Sequence, residues 1–177
     1  MNAVEELAAK QGFECMGTCS AKDLVARPEV RSMCAANKCK VYGHSWACPP
    51  ACGEIEDFER RMHEFDYCLV VQTVAELEDE FDVETMGEAS ELAKNRVMAL
   101  TEALDEAGLG SETATFTAGT CTLCPTCSYP DEPCRFPDKQ LVSMEAAGLV
   151  VSEVCTLAGI PYNHGPLTIA YSGCVLY

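Results

Sequence analysis

Two groups of cysteines are the chain's strongest chemical feature, because their spacing is typical of metal ligation. The first group is followed by Pro-Pro, and the second is a nearly regular run. Their members are Cys34, Cys39, Cys48 and Cys52, and then Cys121, Cys124, Cys127 and Cys134. Thiolates are soft ligands that suit iron–sulfur clusters and zinc, and no Asp, Glu and His constellation suggests a hard cation. The residues therefore predict cysteine-ligated metal at both groups.

The second group favours a 4Fe–4S cluster. Its C-x2-C-x2-C run is close to the bacterial ferredoxin pattern, in which a short loop offers thiolates to the corners of a cube. It departs from that pattern in the six residues before Cys134 and in a proline, Pro137, two residues later than usual. Structural zinc normally uses separate C-x2-C arms, so zinc is the less favoured alternative. Whether Cys134 ligates its own or the other cluster stays open, since both patterns occur.

The fourth ligand of the first group stays open. Cys52 is the nearest candidate, because it follows Cys48 by four residues. The other candidates lie upstream or within the loop: Cys15, Cys19 and His44. With no fourth ligand, one iron would be free to exchange ligands, and an enzyme acting through an open site at Cys34, Cys39 and Cys48 would become possible. Tyr42 and Trp46 would shield such a cluster from water, or else belong to the ordinary core.

Composition favours a reduced, metal-binding protein over a disulfide-bonded one. The 177 residues are 48% hydrophobic, which predicts a single cysteine-rich metal-binding domain over 1–177. No apolar run approaches a membrane span, and the acidic start has no signal-peptide pattern. We therefore expect a cytoplasmic protein, where thiols stay reduced. An odd total of 13 cysteines also fits poorly with a closed disulfide framework.

The net charge narrows the possible partners. Twenty-eight acidic and 12 basic side chains give a formal charge of −16. Such a surface repels phosphate backbones and anionic membranes, so we expect neither nucleic acid nor membrane as a partner. It favours a redox partner protein with a basic docking surface, although solubility or adaptation to high salt would give the same composition. The oligomeric state cannot be read from the sequence.

Hydrophobic periodicity predicts the elements that must position these cysteines. Helices are expected over residues 3–11, 54–65, 85–107 and 150–158, with a helical turn over 28–33 and a short helix, capped by Ser143, over 143–147. Strands are expected over 13–18, 67–74, 113–117 and 167–176. This order predicts an α+β or α/β sandwich, with a small mixed sheet covered by helices and the cysteine-rich loops at one end.

Some positions are predicted to be core. The apolar face of the helix over 85–107 comprises Ala89, Leu92, Ala93, Val97, Leu100, Ala103, Leu104 and Ala107. Cys68 and Cys174 lie in apolar strands and Cys155 on a helix, so we interpret these three as buried free thiols. Cys15 and Cys19 have either a metal or redox role or a place in the core.

Six short motifs together resemble a family of predicted metal-binding proteins, domain of unknown function 2284. They occur in the family's order from about residue 20 to the C-terminus: Cys34-x4-Cys39, Tyr42-Gly43, Trp46-x-Cys48-Pro49-Pro50, Gly119-x-Cys121-x2-Cys124-x2-Cys127, Cys134-Arg135-x-Pro137 and Ser143-Met144-Glu145-Ala146-x-Gly148. The resemblance implies cysteine-rich metal binding, with iron–sulfur chemistry expected first, in anaerobic bacteria and archaea. It brings no established reaction. Cys52 is not a usual member of the family's pattern, and Leu141-Val142 and Val150 replace a common Arg-Pro and a common Asp.

Taken together, the sequence predicts an iron–sulfur protein with two 4Fe–4S clusters that carries electrons to or from an anaerobic redox system. No nucleotide-binding or hydrolase motif accompanies the cysteines, so catalysis would have to come from a cluster itself. A cluster-based enzyme is the alternative, and a structural zinc module is the next.

Overall fold

A computed structural model describes residues 2–177, which form an α+β fold of five α-helices and one five-stranded mixed sheet. This confirms the predicted fold class. The helices are α1 (Ala3–Ala9), α2 (Pro28–Ala35), α3 (Ile55–Met62), α4 (Val83–Glu106) and α5 (Val151–Leu157). The strands are β1 (Cys15–Ser20), β2 (Tyr67–Glu76), β3 (Ala114–Thr117), β4 (Val142–Ser143) and β5 (Thr168–Leu176). Short 3-10 turns occupy Ala21–Asp23, Gly110–Glu112 and Pro137–Lys139.

The sheet has the order β1-β2-β5-β3-β4, and this topology determines where the second cysteine loop lies. β2 pairs antiparallel with β1 and β5, and β3 pairs antiparallel with β5. β3 and β4 are parallel, with Phe116 opposite Val142. Parallel neighbours need a long connection. Residues 118–141 make that connection, so the loop with the second cysteine group leaves and rejoins the sheet at the same edge.

The sheet is buried on both faces, as the alternation along β2 shows. Leu69 and Val71 face α1 and α4, whereas Cys68 and Val70 face the opposite side of the sheet. The first core comprises Val4, Ala8, Leu69, Val71, Val97, Leu100, Leu104 and Val175. The second includes Met144, Leu149, Val154, Cys68, Cys155 and Cys174, with Cys19 packed against it. The predicted burial of Cys68, Cys155 and Cys174 is confirmed.

Two local predictions are wrong. The short helix expected after Ser143 is instead β4 followed by a turn, because Met144 N–H donates to the Thr117 carbonyl and continues the pairing with β3. Ser143 still caps that turn, with its hydroxyl accepting from the Ala146 N–H at 3.0 Å. On the predicted apolar face of α4, Leu92 is 45% exposed because the buried stripe runs along the neighbouring face, and Ala107 is exposed because the helix ends there. None of the helices within residues 2–177 is both long and apolar enough to cross a membrane.

An ion pair joins α4 to the sheet, and it predicts that the fold loses stability at low pH. Arg96 Nη1 donates to Glu14 Oε2 at 2.7 Å and to Thr73 Oγ1 at 3.1 Å, while the Val74 N–H donates to Glu14 at 3.1 Å. Partial burial raises the pKa of Glu14, but the bonds to Arg96 and Val74 outweigh this effect, so the pKa is lowered. A carboxylate with a lowered pKa stabilises the fold above its ordinary value and loses that contribution as the pH falls.

We therefore expect Glu14→Gln to lower the free energy of unfolding by about 1 kcal/mol at neutral pH, a value limited by the partial exposure of the pair. The difference from the wild type should disappear as the pH falls through the lowered pKa of Glu14. Urea unfolding at several pH values measures both effects. Glu91→Gln, at an exposed carboxylate on α4, is the control. Equal urea unfolding curves for Glu14→Gln and Glu91→Gln at neutral pH would contradict the stabilising role of Glu14.

Candidate metal centre

The first cysteine group begins on a helix and continues through a tight loop. α2 starts with Pro28 at its first position, where a proline needs no N–H partner, and it carries Cys34 in its last turn. The chain then reverses through Asn37 and Lys40, whose φ angles are 50° and 62°. Asparagine tolerates this left-handed conformation well, and its Oδ1 here accepts from the Tyr42 N–H at 3.0 Å. The turn places Cys39 between these two residues.

The four cysteines of the first group lie close enough to influence one another. Burial raises the pKa of the Cys34 thiol most, and Cys39 and Cys48 raise it further. Burial likewise raises the pKa of Cys52, with additional contributions from Cys48 and Cys34. Cys52, the nearest candidate for the fourth ligand, therefore belongs to this neighbourhood. Cys39 is the exposed member of the group, while the other three are partly buried.

The second cysteine group lies on a loop closed by its own polar contacts. Gly119, with φ of 67°, turns the chain out of β3. Ser128 Oγ donates to the Pro133 carbonyl at 2.8 Å, and Arg135 Nη1 donates to the Thr126 carbonyl at 2.9 Å. These two bonds hold the segment that contains Cys134 against the segment that contains Cys127.

All four cysteines of the second group line one cavity of about 220 Å³. Burial raises the pKa of Cys121 most, and the neighbouring Cys134, Cys124 and Cys127 raise it further. The cavity wall also includes His44 and Trp46 from the first loop. Its volume is far larger than a single water molecule needs. The cavity is therefore lined by four thiols, a donor type that suits soft metals.

The two cysteine loops pack directly against each other. Cys48 Sγ lies 3.2 Å from Thr120 Oγ1, one residue before Cys121. Trp46 Nε1 donates to the Glu132 carbonyl at 3.0 Å, and the Trp46 carbonyl accepts from Gln140 at 3.0 Å. The Trp46 indole also meets the Tyr129 ring edge-on, with centroids 4.9 Å apart. Trp46, for which a shielding role and a core role were both open, is therefore half-buried at the junction of the loops.

Cys127 differs electrostatically from the other cysteines of the two loops. Burial raises its pKa, but the Tyr129 and Trp46 backbone amides and the Ser45 hydroxyl outweigh this effect, so the pKa is lowered. Hydrogen bonds to the charged form favour a thiolate. Since Ser45 and Trp46 belong to the first loop, the first loop favours the thiolate form of Cys127, a candidate ligand in the second loop.

The described part of the chain contains no group of three or more His, Cys, Asp or Glu side chains that could hold a metal ion as placed. The structure thus gathers the cysteines into two neighbourhoods without a ready-made coordination geometry. Cys19 lies beside Cys68 and packs against the core, and the charge of Cys15 acts on Cys155. Both lie on β1, with their nearest thiols in the core. His44 is exposed on the cavity wall of the second group.

Three residues other than cysteine also lie at the site, and the sequence patterns did not identify them. Arg31 and Glu145 both act electrostatically on Cys34, and Thr120 contacts Cys48. Arg31 stands three residues before Cys34 on α2, a helical spacing that could have identified it. Glu145 and Thr120 are distant in sequence from the cysteines they influence, so no local pattern reveals them.

Comparison with known families gives one match that covers most of the chain. A family model described as "Predicted metal-binding protein (DUF2284)" matches residues 18–177. No curated protein matches the chain, and no solved structure matches it.

Proposed function

The chain belongs to the DUF2284 family of predicted metal-binding proteins, and from this premise we propose that it binds two 4Fe–4S clusters and carries electrons in an anaerobic redox system. Cys34, Cys39, Cys48 and Cys52 would hold one cluster. Cys121, Cys124, Cys127 and Cys134 would hold the other. A four-thiolate cluster supplies one-electron redox chemistry when bound. The chain's own residues supply the ligands, the aromatic cover and the contact between the loops.

The observation that carries the proposal is the cavity of about 220 Å³ lined by all four cysteines of the second group. A C-x2-C-x2-C run that opens into a space of this size fits a polynuclear cluster better than a single tetrahedral ion, whose four ligands must close tightly around it. Placement of Cys52 with the first group supports a second four-thiolate centre, and it favours electron transfer over catalysis at an open iron.

Contact between the loops supports a role in electron transfer. Cys48 and Cys121, one from each group, are joined through Thr120, so two bound centres would be near neighbours. The formal charge of −16 suits a partner protein with a basic docking surface. Reduced thiols and oxygen-sensitive clusters would place the protein in the cytoplasm of an anaerobe.

Anaerobic purification followed by iron, sulfide and zinc analysis tests the proposal. We expect about eight irons and eight acid-labile sulfides per chain, which is two clusters of four, with visible absorption that bleaches on dithionite reduction. About four irons would leave one cysteine group to another metal and contradict the two-cluster proposal. Zinc without sulfide would overturn the electron-transfer role and make the protein a structural module.

A further inference from the structure

A buried N–H group near the first cysteine group has no acceptor. Within residues 2–177, three buried side-chain polar atoms have no hydrogen-bond partner: Arg31 Nε, Glu145 Oε2 and Thr117 Oγ1. A buried donor without a partner is costly, and more so when it is charged, so native proteins rarely leave one unpaired. Two of the three atoms belong to residues whose charges act on Cys34. Two unpaired polar atoms near one cysteine indicate that a further hydrogen-bond partner forms when the site is occupied.

The Arg31 side chain is held in place beside two cysteines of the group. It lies one helical turn before Cys34 on α2, where residues three apart share a face. Its Nη2 donates at 2.7 Å to the carbonyl of Gly53, the residue after Cys52. Its guanidinium lies over the Phe58 ring, 5.7 Å from the centroid. With one nitrogen anchored and the plane supported by the ring, Nε remains available in a fixed position.

The charge of Arg31 acts on the same two cysteines. Arg31 stands three residues before Cys34 on α2 and donates to the carbonyl of the residue after Cys52, so its positive charge lies beside both cysteines. Arg31 therefore offsets the charge that a group of ligating thiolates would concentrate at this position.

We propose that Arg31 is a positioning residue of the first metal centre, with its Nε–H donating a hydrogen bond to a ligand sulfur of Cys34 or Cys52. The inference rests on the proposed metal-binding function and extends it to a group that is not a ligand. Residues that form hydrogen bonds to metal ligands orient those ligands and adjust the properties of the metal, and their loss typically costs about 10–100-fold in metal affinity. The Gly53 carbonyl and the Phe58 ring fix the geometry, so lysine cannot replace the arginine fully.

Metal retention in anaerobically loaded protein tests the role of Arg31. We expect Arg31→Met to lose one of its two centres to a chelator about tenfold faster than the wild type, or more, while the other centre keeps its normal rate. The metal-loss rate of Arg31→Lys should fall between those of Arg31→Met and the wild type. In Arg31→Met, the reduction potential of the affected centre should fall, while that of the other centre stays constant. Arg60→Met is the matched control, since Arg60 is exposed and pairs with Asp57 on α3. Circular dichroism confirms that each variant is folded.

Several outcomes would overturn the inference. Arg31→Met and Arg60→Met with equal loss rates and equal potentials would show that Arg31 does not support the centre. Rapid metal loss from Glu145→Gln, with Arg31→Met unaffected, would assign the role to the carboxylate. Misfolding of Arg31→Met leaves Arg31→Lys as the deciding variant. If the wild type holds zinc, the iron–sulfur proposal fails, yet zinc loss from the same variants still tests Arg31 separately.

Discussion

Cys121→Ser is expected to release the metal of the second centre and leave the first centre loaded, so that iron per chain falls by about half. Cys121 lines the cavity with the other three cysteines of its group, and burial raises its pKa, so metal binding must drive loss of its proton. A serine hydroxyl in the same place stays protonated at neutral pH and is a poor ligand for a soft cluster. Iron and sulfide analysis with electron paramagnetic resonance of the reduced protein measures the change.

Core thiols supply the control for this experiment. Cys155 is fully buried and lies 3.9 Å from Ser172 Oγ and 3.5 Å from Gln72 Nε2, so a serine there keeps polar partners. Cys155→Ser should keep the full metal content. Cys48→Ser is the reciprocal variant, expected to lose the first centre. Loss of both centres from every ligand variant would contradict two independent sites, and full retention in Cys121→Ser would remove Cys121 from the ligand set.

The sequence predicted the sheet and the main helices because their signals are local. β2 alternates between two cores, and α4 repeats buried residues at helical spacing, so their burial patterns follow from periodicity. β4 was missed because two residues carry no period of their own. They are a strand only because Phe116 and Thr117 pair with them. The exposed Leu92 shows the same limit, since an apolar residue beside a buried stripe has the same local signal as one within it.

The site was predictable only as far as it depends on cysteine spacing. Spacing along the chain grouped the eight cysteines, and the structure places each group's members near one another. The contact between Cys48 and Thr120 joins residues 72 positions apart, and a loop-to-loop contact of this kind has no signature in either segment. The sequence left Trp46 as either a shield or a core residue, and its hydrogen bonds to the second loop depend on how both loops fold back.

The two loops lie outside both hydrophobic cores, so their order depends on other forces. Cys68, Cys155 and Cys174 lie in a core and Cys19 packs against it, whereas residues 36–54 and 118–141 contain little regular structure beyond the 3-10 turn Pro137–Lys139. Segments with few buried apolar contacts open at low cost in free energy. Ligation by the three cysteines of the first loop together with Cys34 of α2, and by the four cysteines of the second loop, would supply the missing restraint, since metal binding couples directly to local folding.

Removing the metal is therefore expected to open the loops and leave the sheet folded. Trypsin sites stand beside the proposed ligands at Lys38, Lys40 and Arg135, while Lys94 and Arg96 on α4 provide internal controls. We expect chelator-treated protein to be cut at the loop sites at least about tenfold faster than loaded protein, since a loss of 1.4 kcal/mol of local restraint is enough for that factor. Mass spectrometry of the fragments locates the cuts, and far-ultraviolet circular dichroism should change little.

Equal loop cleavage with and without metal would show that the contacts between the loops, through Trp46 and Gln140, suffice to order them. Cleavage spreading at once to α4 would show that the metal supports the whole fold.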